Sequence, residues 1–264
     1  MDEQEMSRFY QTKNKDNELG LLENQYLLIK NENGDIVDKY KWTGEKLVEI
    51  KYKTIESEML GRVKPRNAKQ ECYFDLLDDP KTKLKVCVGG KGVGKSYLAA
   101  CWALSQVERG KFDKIIVAKN TYELDGVKPL GFTPGSLEMK LLNHLLFLRD
   151  IVSKDGYDSL LQSEQIEVCH LGYLRGRSLK NAIVWVSECQ NLTKELIKTI
   201  ISRAAENTII IFDGDIGQCD NRLFVKDNGL IAMSECLSGN KLYGMVQMDK
   251  CERSDLASLA ELIK

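Results

Sequence analysis

The sequence is poor in histidine. Two occur in 264 residues, His144 and His170, which argues against a histidine-based metal cluster. The eight cysteines (72, 87, 101, 169, 189, 219, 236 and 251) include no C-x-x-C pair, and several sit inside apolar runs. That scatter disfavours zinc and disulfides, and predicts buried free thiols in a reducing compartment. No run of eighteen apolar residues exists, and Met1-Asp2-Glu3-Gln4-Glu5 is too charged for a signal peptide, so a cytoplasmic protein without a membrane partner is expected. Net charge is also nearly absent, at −1. Any contact with nucleic acid must therefore rest on a local basic patch.

What is present is 43% apolar composition, ample for a buried core, and one stretch that organises the rest. The run Leu84, Val86, Cys87, Val88 leads into Gly89-Gly90-Lys91-Gly92-Val93-Gly94-Lys95-Ser96 and Tyr97, and then into a helical pattern in which Ala99, Ala103 and Val107 share a face. This is the G-x-x-x-x-G-K-[ST] phosphate-binding loop, set between a strand and a helix as its chemistry requires. Backbone N–H groups converge on phosphate oxygens, and the helix N-terminus adds partial positive charge.

Along the chain, residues 1–20 are polar and aperiodic and read as a mobile tail. Residues 21–64 read as a small antiparallel β subdomain, with strands at 25–30, 36–40 and 46–52 and a hairpin at Asn33-Gly34. Such a meander buries little alone, so it is expected to pack on the main domain or on a neighbouring subunit. Its Lys39, Tyr40, Lys41, Trp42, Lys51, Tyr52 and Lys53 would also suit nucleic acid, aromatic faces stacking bases while lysines meet phosphates. A linker is expected at 61–65. Residues 65–264 form the P-loop domain, with strands at 84–88, 114–118, 165–169, 182–186, 208–212 and 242–247. Helices are expected at 67–77, after the P-loop, and at 137–151, 193–205 and 253–264. The alternation predicts an α/β fold with a mostly parallel sheet covered on both faces.

Hydrolysis needs a group that helps to hold magnesium and another that activates water. Two strand ends compete for this. One is Ile183-Val184-Trp185-Val186-Ser187-Glu188; the other is Ile209-Ile210-Ile211-Phe212-Asp213. With Glu188 as the water-activating residue, Ser187 could hold a metal-bound water but brings no charge. With Asp213 on the magnesium, the layout is closer to a small-molecule kinase or GTPase.

The P-loop, Leu130-Gly131-Phe132-Thr133-Pro134-Gly135-Ser136-Leu137-Glu138-Met139-Lys140, Leu174-Arg175-Gly176-Arg177-Ser178-Leu179-Lys180-Asn181-Ala182, Glu188-Cys189-Gln190-Asn191-Leu192-Thr193, Gly214-Asp215-Ile216-Gly217-Gln218-Cys219-Asp220 and Gly229-Leu230 occur in that order. Together they resemble the PhoH-like family of P-loop ATPases, whose core is similar to superfamily-one helicases. The resemblance covers about residues 67–264 and implies a three-layer P-loop NTPase of the RecA or helicase type, with ATP and Mg2+ as cofactors. It implies that Lys95 meets the β- and γ-phosphates, that Ser96 meets the magnesium with Ser187 and Glu188 beside it, and that Glu188 is the catalytic carboxylate. Asp215 and Gln218 would sense the γ-phosphate. Gln70 looks like the adenine-reading glutamine of helicases, an amide able to pair with both N6 and N7. Family members usually carry Asp-Glu where this chain has Ser187-Glu188.

Among the arginines, one such as Arg253 would reach a neighbour's γ-phosphate and tie hydrolysis to a ring homo-oligomer. Arg175 and Arg177 suit phosphates of RNA or single-stranded DNA. The leading expectation is an ATPase coupled to binding or unwinding of nucleic acid. An ATP-binding assembly protein with little hydrolysis, motivated by Ser187, and a small-molecule kinase, motivated by Asp213, are the alternatives.

Overall fold

The computed structural model describes residues 3–12, 17–119, 146–219 and 228–252. Six apolar runs form one parallel sheet: β6 (Leu84–Gly89), β7 (Lys114–Lys119), β8 (Ile166–His170), β9 (Ala182–Val186), β10 (Ile209–Gly214) and β11 (Tyr243–Met248), in the order β11-β6-β10-β9-β7-β8. Strands buried on both faces read as continuous apolar runs, which is why each was legible to within two residues at either end. Helices α2 (Ala68–Asp78), α3 (Lys95–Glu108), α4 (Leu146–Ile151) and α5 (Lys154–Gln162) cover the face that carries Cys87, Val117, Trp185 and Ile211. Helices α6 (Lys194–Ile201) and α7 (Gly229–Leu237) cover the face that carries Val86, Val88, Val184 and Phe212. This is a three-layer α/β architecture, that of a P-loop NTPase, and it begins with an antiparallel meander of β1 (Tyr26–Lys30), β2 (Ile36–Trp42) and β3 (Leu47–Glu49).

The meander packs on the sheet domain. Tyr40 and Trp42 are buried, Lys39 pairs with Glu71 and Lys41 with Asp79, and Lys53 reaches Asp75 and Asp78. Most of the groups that suited nucleic acid are thus spent on the fold, and of the three aromatics only Tyr52 is exposed. Two further differences from the sequence reading stand out. Residues read as a mobile tail include α1 (Glu3–Thr12), whose Phe9 packs on Ile29 and Tyr40. The expected linker falls within a hairpin of β4 (Ile55–Ser57) and β5 (Gly61–Val63). Ile55 and Val63 enter the core, and the Glu108 carboxylate accepts from Ser57 Oγ, Glu58 N and Met59 N at 2.8, 3.0 and 3.2 Å. Strands of three residues are too short to show a period, so tertiary contacts decide them. The 130–140 segment, the first part of the expected 137–151 helix, Asp220, Arg253 and the 253–264 helix lie outside the described residues.

All eight cysteines are free, five of them buried. Among the described residues, no helix is long and apolar enough to cross a membrane.

Lys85 sits on the P-loop strand at 0% exposure, donating to the carbonyls of Leu76 and Asp79 at 2.6 and 2.7 Å. These are the carbonyls that end α2, where a cation is favoured. Burial nevertheless pushes the ammonium down to about 7. Between that value and the unfolded value of about 10.4, the unfolded chain binds more protons than the folded one, so stability rises with pH across the window. Thermal unfolding from about pH 6.5 to about pH 9 is expected to show the wild type gaining stability that Lys85→Met does not gain. Equal slopes would contradict this account.

Candidate functional site

Strand β6 delivers the chain to Gly89, and α3 carries it away from Lys95. Gly94 precedes the helix at φ 95°, a left-handed conformation that glycine adopts without strain, and no side chain caps the first turn. The helix N-terminus is thereby left open to an anion. Lys95 Nζ donates to the Gly89 and Gly90 carbonyls at 2.6 and 2.8 Å, folding the ammonium into its own loop. Ser96 Oγ lies 3.2 Å from Asp213 Oδ1, and Trp185 Nε1 donates to Asp213 Oδ2 at 2.6 Å. Asp213 is 1% exposed. Burial raises its carboxyl above the ordinary range, and the Glu188 charge adds to this. The Trp185 bond, the Lys95 charge and the Ser187 hydroxyl act in the opposite sense.

Glu188 follows β9 at φ 58°, ψ 41°, left-handed backbone that costs a non-glycine residue about 1 kcal/mol or more. The conformation turns its carboxylate toward the P-loop: Lys91, Gly92, Gly94, Lys95, Ser96 and Glu188 line one cavity of about 410 Å³. Its remaining walls include Gln70, Tyr97, Arg66 and Glu252.

The family described as PhoH-like protein matches residues 62–262. The chain belongs to the PhoH-like family. It is 31% identical over 247 residues to Protein PhoH2 of Bacillus subtilis (strain 168), covering 90% of this chain and 55% of that protein. Protein PhoH2 of Thermobispora bispora is 34% identical over 210 residues, 77% of this chain and 48% of the relative. Protein PhoH of Escherichia coli (strain K12) is 30% identical over 199 residues, 72% and 55% respectively. The chain thus spans about half the length of these relatives.

Two helpers in this PhoH-like chain were given no role by the sequence reading. Gln190, 1% exposed, donates from Nε2 to Glu188 Oε2 at 2.7 Å and accepts from Asp215 N at 2.9 Å. It couples the ends of β9 and β10, and Gly214 leaves the room it needs, since a Cβ there would lie 2.6 Å from Gln190 Oε1. The only signal was an amide two residues after the carboxylate. The second is Glu252, whose N–H donates to the Gly92 carbonyl at 3.0 Å while its carboxylate accepts from Asn67 Nδ2 at 2.8 Å. With a sequence separation of 185 residues, nothing local announces it.

The other predicted residues divide. Gln70 reaches the cavity, but both ends of its amide are bound, Oε1 by Arg66 N at 2.8 Å and Nε2 to the Val93 carbonyl at 3.0 Å. It braces the P-loop from below. Asp215 and Gln218 lie in the turn after β10, where Asp215 Oδ1 accepts from Gly217 N; neither lines the cavity. Arg175 is exposed, whereas Arg177 pairs with Glu167, which also holds Lys114 at 2.7 Å. Both arginines lie in the connection from β8 to β9, and β8 itself is four strands from the P-loop strand, roughly 19 Å across the sheet.

Among the described residues, no three His, Cys, Asp or Glu side chains form a metal cage. Magnesium in a nucleotide site needs none, because one or two protein oxygens suffice when phosphates and water complete the shell. Ser96 and the carboxylate beside it are oxygen donors of that kind.

Proposed function

We propose that this PhoH-like chain binds ATP in the Gly89–Ser96 cavity and hydrolyses it, coupling turnover to RNA or single-stranded DNA. The observation that carries the reading is the convergence of Lys95, Ser96 and Glu188 on one cavity. Lys95 would leave the Gly89 and Gly90 carbonyls for the β- and γ-phosphates, an exchange of one set of oxygen acceptors for another. Magnesium, held through Ser96, would neutralise charge on the same phosphates. Glu188, oriented by Gln190, would take a proton from the attacking water, whose oxygen displaces ADP in line. Arg175, exposed in the connection between β8 and β9, is the first candidate for contact with a nucleic-acid phosphate. Assembly into a ring, with an arginine such as Arg253 acting across subunits, belongs to the same reading, and sedimentation with and without ATP tests it.

ATP binding and phosphate release by wild type and Lys95→Ala, with and without single-stranded RNA, test the core of the proposal. Turnover in wild type and a loss of about 100-fold or more in the variant are expected. A wild type silent under every condition would overturn it. The second reading, ATP-dependent assembly with slow turnover, draws on Ser187, which leaves the tip of β9 without a metal-facing carboxylate.

A further inference from the structure

We propose that Asp213 supplies the magnesium-facing carboxylate that the tip of β9 lacks, the acid having moved one strand across the sheet with Ser187 as its hydrogen-bonding partner. The inference rests on the ATP site described above.

The register makes the exchange possible. Phe212 pairs with Val186 on one side of β10, and Asp213 pairs with Cys87 on the other. One residue past Phe212 and Val186, Asp213 and Ser187 stand side by side, and side chains opposite one another share a face. That is the face on which α3 begins with Lys95 and Ser96. A carboxylate at 213 is therefore one strand spacing, roughly 4.8 Å, nearer the P-loop strand than one at 187. It touches the Ser96 hydroxyl at 3.2 Å.

The fold alone does not require an acid at this place. An asparagine could accept from Trp185 and Ser187 through its oxygen and donate to Ser96 through its nitrogen. A buried carboxylate costs free energy unless a cation meets it. Lys95 contributes charge, but its ammonium is engaged with the Gly89 and Gly90 carbonyls. A divalent cation at Ser96 is the partner that makes an ionised group preferable to an amide. The two strand ends then serve one site, Asp213 facing the metal and Glu188 facing water.

Binding of a fluorescent ATP analogue to the full chain, titrated with Mg2+ and in EDTA, tests this without recourse to turnover. Asp213→Asn is expected to fold, to melt higher than wild type without ligand, and to bind the nucleotide more tightly in EDTA because a negative charge beside the phosphates is gone. It is expected to need about 10- to 100-fold more Mg2+ for the metal-dependent gain in affinity. The double variant Ser187→Asp, Asp213→Ser is expected to recover part of that gain. An Asp213→Asn protein that keeps the wild-type Mg2+ requirement overturns the inference. So does one that fails to fold, since the carboxylate would then belong to the core. A wild type that binds no nucleotide with or without Mg2+ would overturn the ATP site itself, a distinguishable result.

Discussion

Glu188→Gln is expected to lower ATP turnover by about 100- to 10,000-fold, the range for removal of a positioned general base, while changing ATP affinity only a few-fold. The two side chains have the same shape, and the replacement oxygen can still accept from Gln190 Nε2, which holds Glu188 Oε2 at 2.7 Å. The left-handed backbone at Glu188 is set by its place between β9 and the 3-10 turn Cys189–Asn191, so the cavity wall stays where it is. What disappears is the basic oxygen. Single-turnover hydrolysis beside equilibrium binding separates the two quantities. Full turnover in the variant would remove Glu188 from the chemistry and return attention to Asp213, the buried acid beside Ser96.

The second large effect is expected from Gly89→Ala. A Cβ at Gly89 would lie 2.1 Å from the Met248 carbonyl oxygen and 3.0 Å from its carbon, and the backbone there has φ 152°. Gly89 pairs with Met248 in the β6–β11 ladder, so the methyl group can be housed only by moving β11 away. A loss of about 3 kcal/mol is expected in urea unfolding, at the upper end of the range for overpacking. Because the Gly89 carbonyl also receives Lys95 Nζ, nucleotide binding should weaken with it. Gly90→Ala is the contrast, since nothing lies within 4 Å of a Cβ there; an equal stability loss at Gly90 would show that this explanation is wrong.

Much of this was legible from the chain alone. The six strands announced themselves because burial on both faces demands unbroken apolar runs, and the P-loop because phosphate chemistry demands glycine, lysine and a hydroxyl at fixed spacing in one local segment. Helix α1 and the 55–63 hairpin were missed because each is stabilised by residues distant in sequence, Ile29 and Tyr40 for Phe9 and Glu108 for the hairpin tip. The role given to Gln70 shows a subtler limit. Its residue type was informative, but only the fold revealed that its amide is tied to Arg66 N and the Val93 carbonyl.

The clearest division concerns the two acidic strand ends. From the sequence they looked like rivals, because the order of strands in a sheet is not written along the chain. The sequence by itself determined the parallel α/β layers, the phosphate loop and the presence of a carboxylate at each strand end. Tertiary structure alone decided that β10 lies between β6 and β9, bringing Asp213 to Ser96 across 117 residues and leaving Glu188 to face the cavity. The physical reason is that local pattern fixes which face of a strand is buried, whereas the choice of neighbours depends on packing among all the elements at once.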